Sequence, residues 1–93
     1  MPETIDIRLC FPAHMISDFM HLGAYLNSYN RFWYIKMLSS EIPIPLIQDY
    51  TARRIELDRE HLEVFRESYD MKYDISNGYW YIANKHYRKL VMF

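Results

Sequence analysis

His14, Asp18 and His21 recur at steps of four and three residues. Two imidazoles and a carboxylate are a donor set that suits a transition-metal ion. On one helix, however, His14 and His21 are separated by about 10.5 Å of axial rise, whereas metal–nitrogen bonds are about 2 Å long. A neighbouring pair could share an ion, but all three could not, and a polar helix face with ordinary (i, i+4) contacts explains the spacing equally well. Neither a metal nor a cofactor is expected.

A second group, His61 with His86, Tyr87, Arg88 and Lys89, contains the proton-transfer and cationic groups that a small ribonuclease-type toxin needs. No spacing among them is diagnostic. Arg53, Arg54, Arg59 and Arg66, beside Tyr50 or Tyr69, would form a cationic strip with a stacking platform. That combination binds single-stranded nucleic acid, but Glu56, Glu60 and Glu63 interleave with the arginines and repel phosphate. The Gly-rich phosphate loop, G-x-S-x-G, H-E-x-x-H and C-x-x-C patterns are all missing. Gly23 and Gly78, the two glycines, cannot build a nucleotide cradle. No catalytic residue is assigned, and an enzyme is not expected.

Aromatic content is the strongest compositional signal: nine tyrosines, two tryptophans and five phenylalanines in 93 residues. Tyr and Trp combine an apolar body with a polar tip, which suits half-buried surfaces that meet a partner. Eleven basic and twelve acidic residues nearly cancel. That balance argues against a general nucleic-acid coat, which draws its affinity from phosphate contacts, and against an acidic DNA mimic. The single cysteine, Cys10, stands between Leu9 and Phe11 and reads as a buried, reduced thiol. No basic start with an apolar run marks a signal peptide, and no apolar stretch is long enough for a membrane span. A cytoplasmic protein is expected.

The elements that position these groups follow from periodicity. Residues 4–11 alternate Ile5, Ile7 and Leu9 with polar residues, which predicts a strand. Over residues 13–39 Met15, Phe19, Leu22, Leu26, Tyr29 and Trp33 form a stripe at helical spacing, predicting one long helix or a pair split at Asn27-Ser28-Tyr29-Asn30. Ile42-Pro43-Ile44-Pro45 must be extended: a rigid connector, or a strand that lies in a partner's groove. A helix is predicted to start near Pro45, and residues 54–57 suit helix or strand equally. Asp58 should cap a helix over 59–69, with Leu57 and Leu62 stapled across the cap. Asn77-Gly78 predicts a hairpin over 71–84, with Tyr73, Ile75, Tyr79 and Tyr81 sharing one face. Residues 85–93 are expected to add a third strand. The sum is a single α+β two-layer domain.

This pattern points to a small interaction protein that binds and regulates or inhibits a larger protein machine, of the kind a phage or mobile element directs at a host enzyme. The expected partner-binding residues are Tyr73, Tyr79, Trp80, Tyr81, Tyr87 and Arg88, followed by Trp33 and Tyr34. Trp33 and Trp80 would serve equally well as core. A nucleic-acid-binding module and a ribonuclease-type toxin are the competing readings, and a homo-oligomer is open. No membrane partner is expected.

Overall fold

Ile5, Ile7 and Leu9, alternating with polar neighbours, form β1 (Thr4–Leu9), in agreement with the sequence reading. The computed structural model describes residues 3–91. After Pro12 a short 3-10 turn (Ala13–Met15) leads into α1 (Ile16–His21), and there the helix predicted over residues 13–39 ends. Gly23 adopts φ +95°. Its N–H donates to Met20 O at 3.0 Å, and that of Ala24 donates to Phe19 O at 3.0 Å. These are the paired bonds of a Schellman stop. Beyond it, β2 (Tyr25–Leu26) and β3 (Trp33–Leu38) form a hairpin. Asn27 holds the turn: its Oδ1 accepts from Tyr29 N at 2.8 Å, and its own N–H donates to Phe32 O at 2.9 Å. Tyr, Trp and Ile favour a pleated, half-buried surface, and Asn favours a turn. Those preferences win over the apparent helical stripe.

The second half follows local signals more closely. Pro45 is the first residue of α2 (Pro45–Tyr50), where its missing N–H costs nothing. The ambiguous segment resolves as β4 (Ala52–Ile55). Asp58 caps α3 (Arg59–Ser68), its carboxylate accepting from His61 N at 2.9 Å. β5 (Lys72–Asp74) and β6 (Tyr79–Ala83) form the expected hairpin, turning through Gly78 at φ +77°. The third strand predicted over 85–93 is instead α4 (Asn84–Val91). Residues 92 and 93 of that prediction lie outside the described residues. β4 already takes the place beside β6, and the sheet order is β4-β6-β5. Lys, Arg and Leu are also good helix formers.

The fold is α+β, with two antiparallel three-stranded sheets and four α-helices among the described residues. In the first sheet, ordered β1-β3-β2, Thr4 stands opposite Leu38 and Leu9 opposite Trp33. The sheets meet at one seam, where Leu9 bridges to Thr51 and Cys10 N donates to Tyr50 O at 2.8 Å. Leu9, Phe11, Phe19, Ile35 and Ile47 form the buried core against α1 and α2, with the rings of Phe11 and Phe19 stacked at 4.2 Å. Each such side chain contributes roughly 1.5–3 kcal/mol on burial. No helix among the described residues is long and apolar enough to cross a membrane.

A Cβ added at Gly23 would meet no atom within 4 Å, so only the positive φ opposes substitution. Gly23→Ala should therefore cost about 1–2 kcal/mol, read by urea denaturation, and Gly23→Asn should cost less.

Candidate interaction face

Strand register decides which side chains share a surface. In the first sheet Arg8 pairs with Tyr34 and Tyr34 with Tyr25, so all three project from one face. In the second sheet Tyr81 stands between Arg54 and Lys72, and Tyr79 stands opposite Asp74. Arg8 crosses the seam between these two faces. Its Nη1 lies 2.8 Å from Asp74 Oδ2. Its guanidinium sits over the rings of Tyr81 at 4.5 Å, Phe32 at 4.7 Å and Tyr34 at 5.5 Å. Its Nε donates to the Tyr34 hydroxyl at 3.0 Å, and Asn30 Nδ2 donates to the same oxygen at 2.6 Å.

Asp74 is fully buried. Burial alone would raise its carboxyl, but hydrogen bonds from the Ser76 hydroxyl and amide, together with the Arg8 guanidinium, outweigh burial and hold it below the usual carboxylate range. Arg8 Nη1 and Asp74 Oδ2 are both buried and have only each other. The pair is thus a desolvated cross-sheet contact, enclosed by aromatic faces that supply further attraction for the cation.

From this centre a row of rings runs to both sides. Tyr25 stacks on Tyr34 at 6.0 Å, and a hydrogen bond to the Asp6 carboxylate raises the Tyr25 hydroxyl above its ordinary value. On the other side Arg54 lies over the Tyr79 ring at 4.2 Å. Tyr25 is 40% exposed and Tyr79 39%, so both ends of the row meet solvent.

The residues singled out from sequence separate into four places. Tyr34, Tyr79 and Tyr81 lie on this face. Tyr73 pairs with Trp80 on the reverse face, their rings 5.1 Å apart, so the four-residue face predicted with Tyr73 and Ile75 does not form. Ile75 stands in the turn. Tyr87 lies on α4 beneath Arg53 at 4.2 Å and borders a groove of about 360 Å³ with Ile55, Leu57, Phe65 and Leu90. Arg88, also on α4, pairs with Asp49 of α2 at 2.6 Å. Trp33 is half-buried against the core, 6.0 Å from Phe11. Sequence reasoning missed Arg8, Tyr25 and Asp74. Strand alternation offered the one local signal, a cation at an outward position of β1.

The other constellations do not assemble. His61 is exposed at the start of α3, its Nδ1 2.6 Å from Asp58. His86 is on α4, where burial and then Lys85 and Lys89 lower its pKa. The Phe65 and Tyr69 rings stand between the two, in a run from His61 to Phe65, Tyr69 and His86. The histidines therefore share no site for proton transfer. Among the described residues no three His, Cys, Asp or Glu side chains could hold a metal ion. Arg53 and Arg54, adjacent on β4, project to opposite faces and are each taken up by a tyrosine ring.

Asp74→Asn leaves a guanidinium without its counter-charge and should cost about 3–5 kcal/mol at neutral pH. Because the folded carboxyl is held below its unfolded value of about 3.9, its contribution is complete above that pH and is lost as pH falls through the lower folded value. Urea denaturation at neutral and acid pH should show this acid loss in the wild type and a smaller one in Asp74→Asn. Comparison with protein-family models, with curated proteins and with solved structures gives no match for this chain.

Proposed function

We propose that this protein docks through its tyrosine face onto a larger protein assembly and regulates or inhibits it by occupying a surface that the assembly needs. One observation carries the reading: none of the nine tyrosines is buried, whereas every fully enclosed aromatic ring (Phe11, Phe19 and Phe32) belongs to phenylalanine. Rings with a polar tip are thus kept at the boundary with solvent, where they suit a partner's pockets.

The disposition of the cations favours a protein partner over a nucleic acid. Arg8 is committed to Asp74, Arg53 to Tyr87 and Asn84, Arg54 to Tyr79 and Glu56, and Arg88 to Asp49. Phosphate binding by these four would have to break their contacts first, and the exposed Arg59 and Arg66 stand on α3 among Glu60, Glu63 and Glu67, which repel phosphate. The face offers rings with tethered charges at their edges, which set orientation more than affinity. A cytosolic setting agrees with Cys10, a free thiol that burial pushes up to about 11.

The test is affinity capture on the immobilised chain, comparing wild type with Tyr25→Ser/Tyr79→Ser. Both positions lie outside the core, so circular dichroism should be unchanged, with a modest fall in thermal midpoint from the lost Tyr34 and Arg54 contacts. The expected result is a protein captured by wild type, retained at about 1 M salt, where screening reduces surface charge effects to about 3 Å, and lost at least tenfold (about 1.4 kcal/mol) in the double variant. Undiminished capture by the variant would remove this face from the contact. Release by salt with nucleic acid in the eluate would favour the phosphate-binding reading.

A further inference from the structure

In an antiparallel ladder the N–H and C=O of one residue point to the same side, and that side alternates along the strand. Ser39 N donates to Glu3 O at 2.9 Å, so Glu3, and with it Ile5, Ile7 and Leu9, turn their main-chain groups toward β3. Thr4, Asp6 and Arg8 turn theirs the other way. On that second side Leu9 bridges to Thr51 and Cys10 N meets Tyr50 O, and there the pairing with β4 stops. Among the described residues β1 and β4 share no further bridge, which leaves the main-chain groups of the exposed Thr4 and Asp6 unpaired. Arg54 repeats this from β4. Thr51 O accepts from Asn84 N at 2.9 Å, so by the same alternation Arg54 turns its main-chain groups away from β6. Two open edges thus look into one gap in the middle of the tyrosine row. Native sheets usually blunt such an edge with Pro, Lys or a bulge. β1 has none of these, and its register with β3 is unbroken from Thr4 to Leu9.

We infer, building on the docking reading above, that the partner presents an extended segment which adds to this edge as a new strand beside β1. Donor–acceptor pairs that recur every second residue, about 6.8 Å apart, match another extended backbone. A helix cannot supply the match, because its main-chain groups are spent on its own ladder. Strand addition draws affinity from the main chain and selectivity from alternate side chains. Asp6 projects from the tyrosine face, while Ile5, 46% exposed, and Ile7 project from the reverse. The segment that fits therefore carries basic side chains on one face and apolar ones on the other. A second copy of this chain fits worse, since antiparallel pairing centred on Asp6 sets two Asp6 carboxylates directly opposite each other.

The probe is a short capped peptide of alternating Lys and Val, titrated into isotope-labelled protein and followed by amide NMR. Saturable shifts at Thr4 and Asp6 are expected at or below about 1 mM peptide, with slower exchange of the Asp6 amide. Asp6→Pro deletes an outward donor and spares the β1–β3 ladder, a placement that edge strands tolerate. Thr4→Pro does the same and keeps the Asp6 carboxylate. Each should weaken peptide binding at least about tenfold with unchanged circular dichroism. Absence of shifts at Thr4 and Asp6, or binding that survives both prolines, would overturn the inference. So would shifts of the Asp6 amide with protein concentration alone, which would give the edge to a second copy. Affinity capture keeps the two readings apart. A protein lost in Tyr25→Ser/Tyr79→Ser should also be lost in Asp6→Pro, whereas its retention by Asp6→Pro would overturn strand addition and leave the tyrosine face standing.

Discussion

A guanidinium from the first sheet, held against a buried carboxylate of the second, is the contact on which the arrangement of this molecule turns. The backbone link between the sheets is slight, a bridge at Leu9 and Thr51 and one bond from Cys10 to Tyr50. Arg8 and Asp74 add a directional tie 2.8 Å long. A buried ion pair is weak evidence for net stability, since desolvation can consume the Coulomb gain. Its stronger effect is on geometry. Only one relative placement of the sheets satisfies the carboxylate, the three rings around the guanidinium and the Tyr34 hydroxyl together. That placement brings Tyr25 and Tyr34 into line with Tyr81 and Tyr79.

The same logic accounts for four of the seven arginines. Arg8, Arg53, Arg54 and Arg88 each lie on an aromatic ring or a carboxylate, and Lys85 also sits over Tyr50 at 5.0 Å. Each contact covers apolar ring surface with a group that stays partly hydrated. Tyrosines too numerous for a 93-residue core are thereby kept at the surface without forming one bare hydrophobic patch. Apolar surface stays open at the ends of the tyrosine row, at Tyr29, Ile42, Val64 and Ile75, and in the grooves beside α4 and β3.

Features dictated by neighbouring residues were legible in the sequence. Alternation gave β1, Pro45 opened α2, Asp58 capped α3 and Asn77-Gly78 turned the last hairpin. Over residues 13–39 apolar residues are dense enough to fit a period of 3.6 as well as one of 2, so periodicity alone does not separate helix from strand there. Gly23 and Asn27 held the deciding information. Counting alternate positions through the turn at 75–78 puts Tyr73 on the wrong face, because strand parity resets there: Tyr73 meets Trp80 and Asp74 meets Tyr79. In the tail nothing local reveals that β4 already occupies the edge of β6. The Arg8–Asp74 tie was invisible for a similar reason. It joins distant segments, and only the completed topology brings them together.

Native-state hydrogen exchange tests most directly whether this contact makes one cooperative body of two sheets. The slowest amides of β3 and β6 should open with the same free energy in the wild type, and should separate by about 1 kcal/mol or more in Arg8→Met as one sheet comes to open without the other. Wild-type sheets that already open at clearly different free energies, or an Arg8→Met protein whose sheets still open together, would contradict the account.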